Sequence, residues 1–186
     1  PVGSYTKDQI REIAEEIGIP VAHKPDSQEI CFIPDHDYAK YIRENTDTEL
    51  PPGNFVDLDG NILGKHLGIT HYTVGQRKGL NLSMGKPVFV VEIRPETNEV
   101  VIGDSKDVFS DHLTCDHLNW MSVDGLHGET MKVTAKIRYS HKGAPCEIRE
   151  IGPDLVEVQF EEPQRAITPG QAVVFYDGDY VVGGGV

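Results

Sequence analysis

Cysteine is scarce in this chain of 186 residues, and long apolar runs are absent. Cys31, Cys115 and Cys146 are an odd number of cysteines without tight spacing, which excludes a disulfide framework and a zinc signature. No apolar run approaches the length of a membrane span, and no charged-then-apolar signal segment opens the chain. We therefore expect a reducing, cytoplasmic compartment and no membrane partner.

Basic residues are also few, because 17 Lys and Arg stand against 30 Asp and Glu, for a formal net charge of −13. Phosphate contacts need clustered Lys and Arg, so this balance argues against a general nucleic-acid binder. A local basic face is still compatible with an acidic whole, and the distribution of charge matters more than its sum.

The chain opens with a predicted helix over residues 6–18. Thr6 and Gln9 fit a capping box, an apolar stripe follows at helical spacing, and Gly18 is a natural stop. Because the chain begins at Pro1 and the stripe lacks an obvious partner, we expect a piece cut from a longer protein.

The next segment connects this helix to a second one. Residues 19–24 predict a short strand or extended segment, and Asp35 is expected to cap a helix over residues 36–45. Cys31 lies between them, on the kind of connecting segment that often presents functional groups. A small buried hydrophobic residue is the alternative interpretation of Cys31.

Turn signals at short intervals predict β structure from about residue 50 onward. Asp59-Gly60 indicates a hairpin, and a polar stretch over residues 104–111 is interpreted as the boundary between two β units. The predicted strands of the first unit are residues 55–58, 62–63, 88–93 and 99–102.

The second β unit contains the clearest strand pattern, over residues 131–139. Apolar residues alternate there with Lys132, Lys136 and Arg138, which predicts a basic outer face. The same alternation predicts that Tyr139 points inward, unless the end of the strand twists it outward. Further strands are predicted over residues 146–150, 155–160, 172–176 and 180–182, with Gly183 to Gly185 as the exit of the last one. So many short strands predict a closed or nearly closed barrel.

The fold is therefore predicted to be mainly β with an α-helical N-terminal segment. The predicted domains are residues 1–46, a small central β domain over residues 47–105, and a C-terminal β-barrel over residues 106–186.

Two groups of cations are candidate contacts to an anionic backbone. Arg77 and Lys78 lie in a turn between two glycines. This turn is either a tight turn with solvated cations or a flexible backbone that directs the two cations towards phosphates. The basic strand around Arg138 is either a solvated face or a phosphate-tracking patch. Its cations are Lys132, Lys136, Arg138, Lys142 and Arg149.

A metal site is the weaker interpretation of another cluster, His112, Cys115 and His117. The spacing matches no zinc pattern, and no fourth ligand is evident, so no metal site is predicted.

Several segments, in a fixed order, carry a resemblance to one family. They are Asp26-Ser27 with Ile30 to Ile33, His71 to Leu80, Lys136 to Tyr139, Thr168 to Tyr176, and Gly183 to Gly185. Their order and spacing resemble the C-terminal part of the tRNA-specific 2-thiouridylases, the MnmA or TrmU family, over nearly the whole chain.

The resemblance implies an enzyme that activates the wobble uridine of certain tRNAs with ATP and then delivers sulfur from a cysteine persulfide. It implies that Cys31 carries the persulfide and that Arg138, Tyr139 and Gln171 contact tRNA. The sulfur donor would be a cysteine desulfurase or a relay protein. A second cysteine, which resolves the persulfide by forming a disulfide, lies in the family's N-terminal domain and has no counterpart here.

The family's ATP loop, Ser-Gly-Gly-x-Asp-Ser, does not occur in these residues. Residues 1–46 are therefore interpreted as the remnant of an N-terminal catalytic domain. The chain alone is expected neither to bind ATP nor to turn over substrate. Two alternatives stay open, a non-catalytic RNA-binding β module and a translation-factor-type barrel that binds protein partners.

Overall fold

The structure is a computed structural model that describes residues 2–24, 30, 32–33, 37–46 and 51–186. The chain falls into two compact units, Pro1–Thr46 and Asp47–Val186. Cys31 and Asp35 lie outside the described residues.

Helix α1, Lys7–Glu16, confirms the first predicted helix and its capping box. The hydroxyl of Thr6 accepts from the amide of Gln9 at 3.4 Å, and the side chain of Gln9 accepts from the amide of Thr6 at 2.8 Å. Gly18 follows with a φ of 75°, the left-handed conformation in which many helices end.

The prediction of an extended segment over residues 19–24 is wrong, because this segment folds into turns. The amide of Ala22 donates to the carbonyl of Ile19 at 3.1 Å, and the amide of Lys24 donates to the carbonyl of Val21 at 3.0 Å. Bonds between residues three apart are typical of turns.

Helix α2, Tyr38–Asn45, confirms the second predicted helix but not its cap. The capping residue is Asp37 and not Asp35, since a carboxylate of Asp37 accepts from the amide of Lys40 at 2.9 Å. Among the described residues, neither helix is long and apolar enough to cross a membrane.

A four-stranded sheet opens the second unit, in the order β2-β1-β4-β3. Its strands are β1 (Gly53–Val56), β2 (Ile62–His66), β3 (Phe89–Arg94) and β4 (Glu99–Gly103). The hairpin predicted at Asp59-Gly60 is confirmed, and it is closed by Asp57, whose carboxylate accepts from the amides of Asp59 and Asn61 at 3.0 and 2.8 Å. Strands β1 and β4 pair in parallel, which no sequence signal indicated.

His66 lies in the core of this sheet, packed edge-on against the rings of Phe55 and Tyr72 at 5.5 and 5.6 Å between centroids. Its Nδ1 accepts from the amide of Gly68 at 3.0 Å, and its Nε2 lies 3.2 Å from the carbonyl of Asn98. The ring is therefore neutral, with the proton on Nε2, and burial lowers the pKa of His66.

Seven strands form the second sheet, in the order β5-β9-β8-β7-β10-β11-β6. They are β5 (Phe109–Cys115), β6 (Asn119–Trp120), β7 (Thr130–Lys136), β8 (Ala144–Gly152), β9 (Leu155–Arg165), β10 (Val173–Asp177) and β11 (Tyr180–Gly185). The sheet curls around a core of alternating residues, such as Ile148, Val158 and Phe175, which are fully buried. Asp116, just beyond β5, exchanges two backbone hydrogen bonds with Val186, just beyond β11, at 3.0 and 2.9 Å. The predicted barrel, nearly closed, is confirmed.

Gly183 to Gly185 are not the exit of a strand, as predicted, but lie within β11. A Cβ on Gly184 would lie 2.4 Å from the carbonyl oxygen of Val173, and one on Gly183 would lie 2.8 Å from that of Asn119. Glycine is needed here because neighbouring backbones approach too closely for a side chain.

Candidate nucleic-acid interface

Arg165, the last residue of β9, links the two sheets. Its Nη2 donates to the carbonyl of Gly75 at 3.3 Å, and its guanidinium carbon lies 5.6 Å from the centroid of the Phe89 ring. Its own carbonyl accepts from Nη1 of Arg138 at 3.1 Å. Arg165 thus joins the turn after Gly75 to the end of β7.

Arg138 and Tyr139 lie in a turn beyond β7, which ends at Lys136. The amide of His141 closes this turn by donating to the carbonyl of Arg138 at 3.0 Å. The prediction that Tyr139 points inward is wrong, because its side chain is fully exposed. Strand alternation stops where the strand stops, so the pattern cannot be extended to Tyr139. An exposed tyrosine beside a fixed arginine offers a face on which a base can stack.

The turn after Gly75 is fixed to strand β3. The amide of Gly75 donates to the carbonyl of Val90 at 2.7 Å, and the amide of Val90 donates to the carbonyl of Gln76 at 2.9 Å. The side chain of Gln76 then donates to the carbonyl of Lys78 at 3.0 Å. Arg77 and Lys78 are therefore exposed cations on a braced backbone.

Gly75 itself serves the contact between the two sheets. Its φ is 85°, and a Cβ in its place would lie 2.7 Å from the Cβ of Ala166. The residue is a glycine because the barrel approaches the turn too closely for a side chain.

Gln171 lies at the end of a second turn near the same junction. The amide of Gln171 donates to the carbonyl of Thr168 at 3.3 Å, and Gly170 has a φ of 78°. Proline followed by glycine at the two central positions is typical of a type II turn. The turn is tied back by the hydroxyl of Thr168, which donates to the carbonyl of Ala166 at 3.1 Å, and the side chain of Gln171 is exposed.

The cations at this junction form no ion pair with the acidic residues that the structure describes. The ion pairs that Lys and Arg form in the described part of the second unit use other cations, Lys86, Arg94 and Arg149. No described carboxylate pairs with the following five residues: Arg77, Lys78, Lys136, Arg138 and Arg165. Arg149, expected in the basic patch, is instead paired with Glu157 at 2.6 Å.

A cavity of about 980 Å³ lies between the two sheets, next to these cations. Val74 and Val91 line it from the side of the four-stranded sheet, and Ile137 and the segment 167–171 line it from the barrel. The cavity therefore reaches from the residue before Gly75 to the residue before Arg138, and it includes Gln171.

The two described cysteines are unsuited to thiol chemistry. Burial raises the pKa of Cys115 to about 12 and that of Cys146 to about 11, so both are thiols at neutral pH. The described residues contain no group of three or more acidic, His or Cys side chains that could hold a metal ion. The other candidate cysteine, Cys31, lies outside the described residues.

Sequence reasoning identified Arg138, Tyr139, Gln171 and the cationic turn separately, and the structure brings Arg138, the turn and the Gln171 loop to one junction. It missed Arg165, which connects them. Arg165 ends a strand that carries several acidic residues, and Arg165 itself belongs to no periodic pattern in the sequence. Its connecting role is therefore visible only in the tertiary structure.

Three family profiles match consecutive parts of the chain. They are described as a tRNA methyl transferase HUP domain over residues 1–35, a tRNA methyl transferase PRC-barrel domain over residues 39–104, and an aminomethyltransferase beta-barrel domain over residues 110–186. Two of the three descriptions name tRNA methyl transferases, so the class of protein that the chain is similar to is that of the tRNA-modifying enzymes.

Curated relatives refine this class. The chain is 60% identical over 185 residues to the tRNA-specific 2-thiouridylase MnmA of Lachnoclostridium phytofermentans, covering 100% of the chain and 52% of the relative. It is 53% identical over 186 residues to the protein of the same name in Clostridioides difficile, covering 100% of the chain and 51% of the relative. The chain belongs to the tRNA-specific 2-thiouridylase family, and it spans about half the length of the curated relatives it matches.

Proposed function

We propose that this chain is the part of a tRNA 2-thiouridylase that holds the tRNA and carries the sulfur. The observation that supports the tRNA-holding role is the meeting of three sequence-distant segments at Arg165, which bonds to the turn after Gly75 and accepts from Arg138. Arg77, Lys78, Lys136, Arg138 and Arg165, which lie on or beside these segments, form no ion pair with a described carboxylate. Such a cluster in an acidic protein attracts a polyanion to one place.

In this proposal Arg138 contacts a phosphate, because its guanidinium is held by the Arg165 carbonyl and its other donors have no partner among the described residues. Tyr139 stacks on a base or sugar, and Gln171 hydrogen-bonds the tRNA from its exposed side chain. The profile descriptions name methyl transfer and the relatives name thiolation, and both concern tRNA. Identity over the whole chain favours thiolation.

The sulfur-carrying role falls to Cys31, whose neighbours match the family motif, whereas Cys115 and Cys146 are buried thiols. An ATP pyrophosphatase domain adenylates the 2-oxygen of the wobble uridine and releases pyrophosphate. The terminal sulfur of the Cys31 persulfide then attacks C2, and AMP leaves. A second cysteine attacks the Cys31 sulfur, which releases 2-thiouridine and leaves a disulfide between the two cysteines. A thiol reductant then reduces this disulfide to two thiols. The persulfide is loaded by a cysteine desulfurase or a relay protein.

Replacement of Arg138 tests the tRNA-holding role in this chain. Arg138→Ala should weaken tRNA binding by about 1–3 kcal/mol and make the dependence of log K on log salt shallower by about one. Arg149→Ala is the matched control, because its guanidinium is already paired with Glu157. Equal affinities of the two variants, measured by titration at several salt concentrations, would contradict the tRNA-holding role.

Replacement of Cys31 separates the sulfurtransferase from a non-catalytic RNA-binding module. In an enzyme that combines this chain with an ATP pyrophosphatase domain, Cys31→Ser should abolish thiolation and leave tRNA affinity unchanged. Thiolation that survives the replacement would show that Cys31 is only structural.

A further inference from the structure

The cavity between the two sheets has the size and lining of a ligand site. Its volume of about 980 Å³ lies within the range of about 300–1,000 Å³ that is usual for small-molecule pockets. Apolar side chains dominate the walls, among them Val91, Leu113 and Ile137. Phe109 lines the same cavity and is 46% exposed, so the lining includes an aromatic residue that is not packed away in the core.

The charge of the lining selects against an anion inside the cavity. Glu92, Asp107 and Asp116 are among the lining residues, and each accepts a hydrogen bond of 2.7–2.8 Å from a donor of a nearby residue. Ion pairs with Arg94 and His117 offset the charges of Glu92 and Asp116, so a phosphate placed there would meet mainly the carboxylate of Asp107, whose donor is the backbone amide of Asp104. A neutral aromatic ring would avoid that repulsion.

The charge outside the cavity has the opposite sign. Ile137 lines the cavity and Arg138 follows it, while Val74 lines it and the turn that carries Arg77 and Lys78 follows. A ligand with a neutral aromatic part and an anionic backbone fits this separation of charge. A nucleotide in single-stranded RNA is such a ligand.

We propose that this cavity receives one unpaired nucleobase of the tRNA, with the adjoining phosphates held by the cations outside it. This inference rests on the proposed function. The base is a recognition base and not the one that is thiolated, because the cysteine in the lining, Cys115, is a buried thiol. In this arrangement Phe109 stacks on the base, and Thr168 and Gln171 face its polar edge.

Binding of two RNAs to cavity variants tests the proposal. The RNAs are bulk tRNA and a fully paired duplex with the same number of phosphates. Phe109→Ala removes the stacking face, and Thr114→Trp fills the cavity from an exposed position of β5. Phe109→Tyr keeps the ring and is the conservative control. Urea unfolding midpoints identify any variant whose fold has changed.

Phe109→Ala and Thr114→Trp should bind tRNA about tenfold more weakly and should bind the duplex as the wild type does. Phe109→Tyr should bind both RNAs like the wild type. Unchanged tRNA affinity of a folded Phe109→Ala protein would overturn the inference, as would an equal loss on both RNAs. A wild-type protein that binds neither RNA would instead overturn the proposed function.

Discussion

Removal of the Arg165 side chain should loosen the connection between the two sheets. Arg165→Ala deletes the hydrogen bond to the Gly75 carbonyl, worth about 0.5–1.5 kcal/mol, and the contact with the Phe89 ring, worth about 0.5–1 kcal/mol at an exposed site. The bond from Arg138 survives, because it uses the backbone carbonyl of residue 165. We therefore expect the free energy of unfolding to fall by about 1–2 kcal/mol.

Urea unfolding at neutral pH measures this loss, with Arg149→Ala as the control. Arg149 forms a surface ion pair with Glu157, and such pairs contribute about 0–1 kcal/mol. Arg165→Lys keeps the charge but not the planar fork, so its stability should lie between that of Arg165→Ala and the wild type. If Arg165→Ala and Arg149→Ala unfold at the same midpoint, Arg165 does not connect the sheets as described.

Three further predictions concern the core. Because the pKa of His66 is lowered in the folded protein, the unfolded chain binds the proton first as the pH falls. The free energy of unfolding should therefore fall as the pH drops below about 6.5. The difference in the free energy of unfolding between the wild type and His66→Gln should shrink over the same pH range. The comparison with this variant is needed because carboxylates raise the pKa of His117 and His127, so the effect of these two histidines on stability has the opposite dependence on pH. A difference between the wild type and His66→Gln that does not change with pH would contradict the neutral, buried state of His66. Gly184→Ala should lower the free energy of unfolding by about 1–3 kcal/mol, whereas Gly3→Ala, with nothing within 4 Å of a new Cβ, should not; equal midpoints would refute the close approach. Cys115 and Cys146 should resist alkylation in the folded protein and react in urea, and fast labelling of either in the native state would show that its thiol is accessible.

Local signals in the sequence predicted most of the β structure correctly. Hairpins such as the one at Asp59-Gly60 are specified by a few neighbouring residues, and the structure forms them at the expected places. The capping box at Thr6 is local in the same way.

The errors arose where the outcome depends on residues far away in the chain. Alternation alone does not show that β7 ends at Lys136, so the pattern wrongly predicts an inward-facing Tyr139. The glycines of β11 carry no local signal for the backbones of Asn119 and Val173 that press against them. The connecting role of Arg165 and the cavity both arise where the two sheets meet, and no pattern within one segment of the sequence predicts that meeting.

The sulfur carrier is the central claim, and the site of sulfur loading tests it most directly. The protein is incubated with its sulfur source, the free thiols are blocked, and its peptides are mapped by mass spectrometry. Because Cys115 and Cys146 are buried thiols, the added sulfur atom should be found on Cys31 and on no other cysteine. A Cys31 peptide without added sulfur, or sulfur on either of the other two cysteines, would contradict the account.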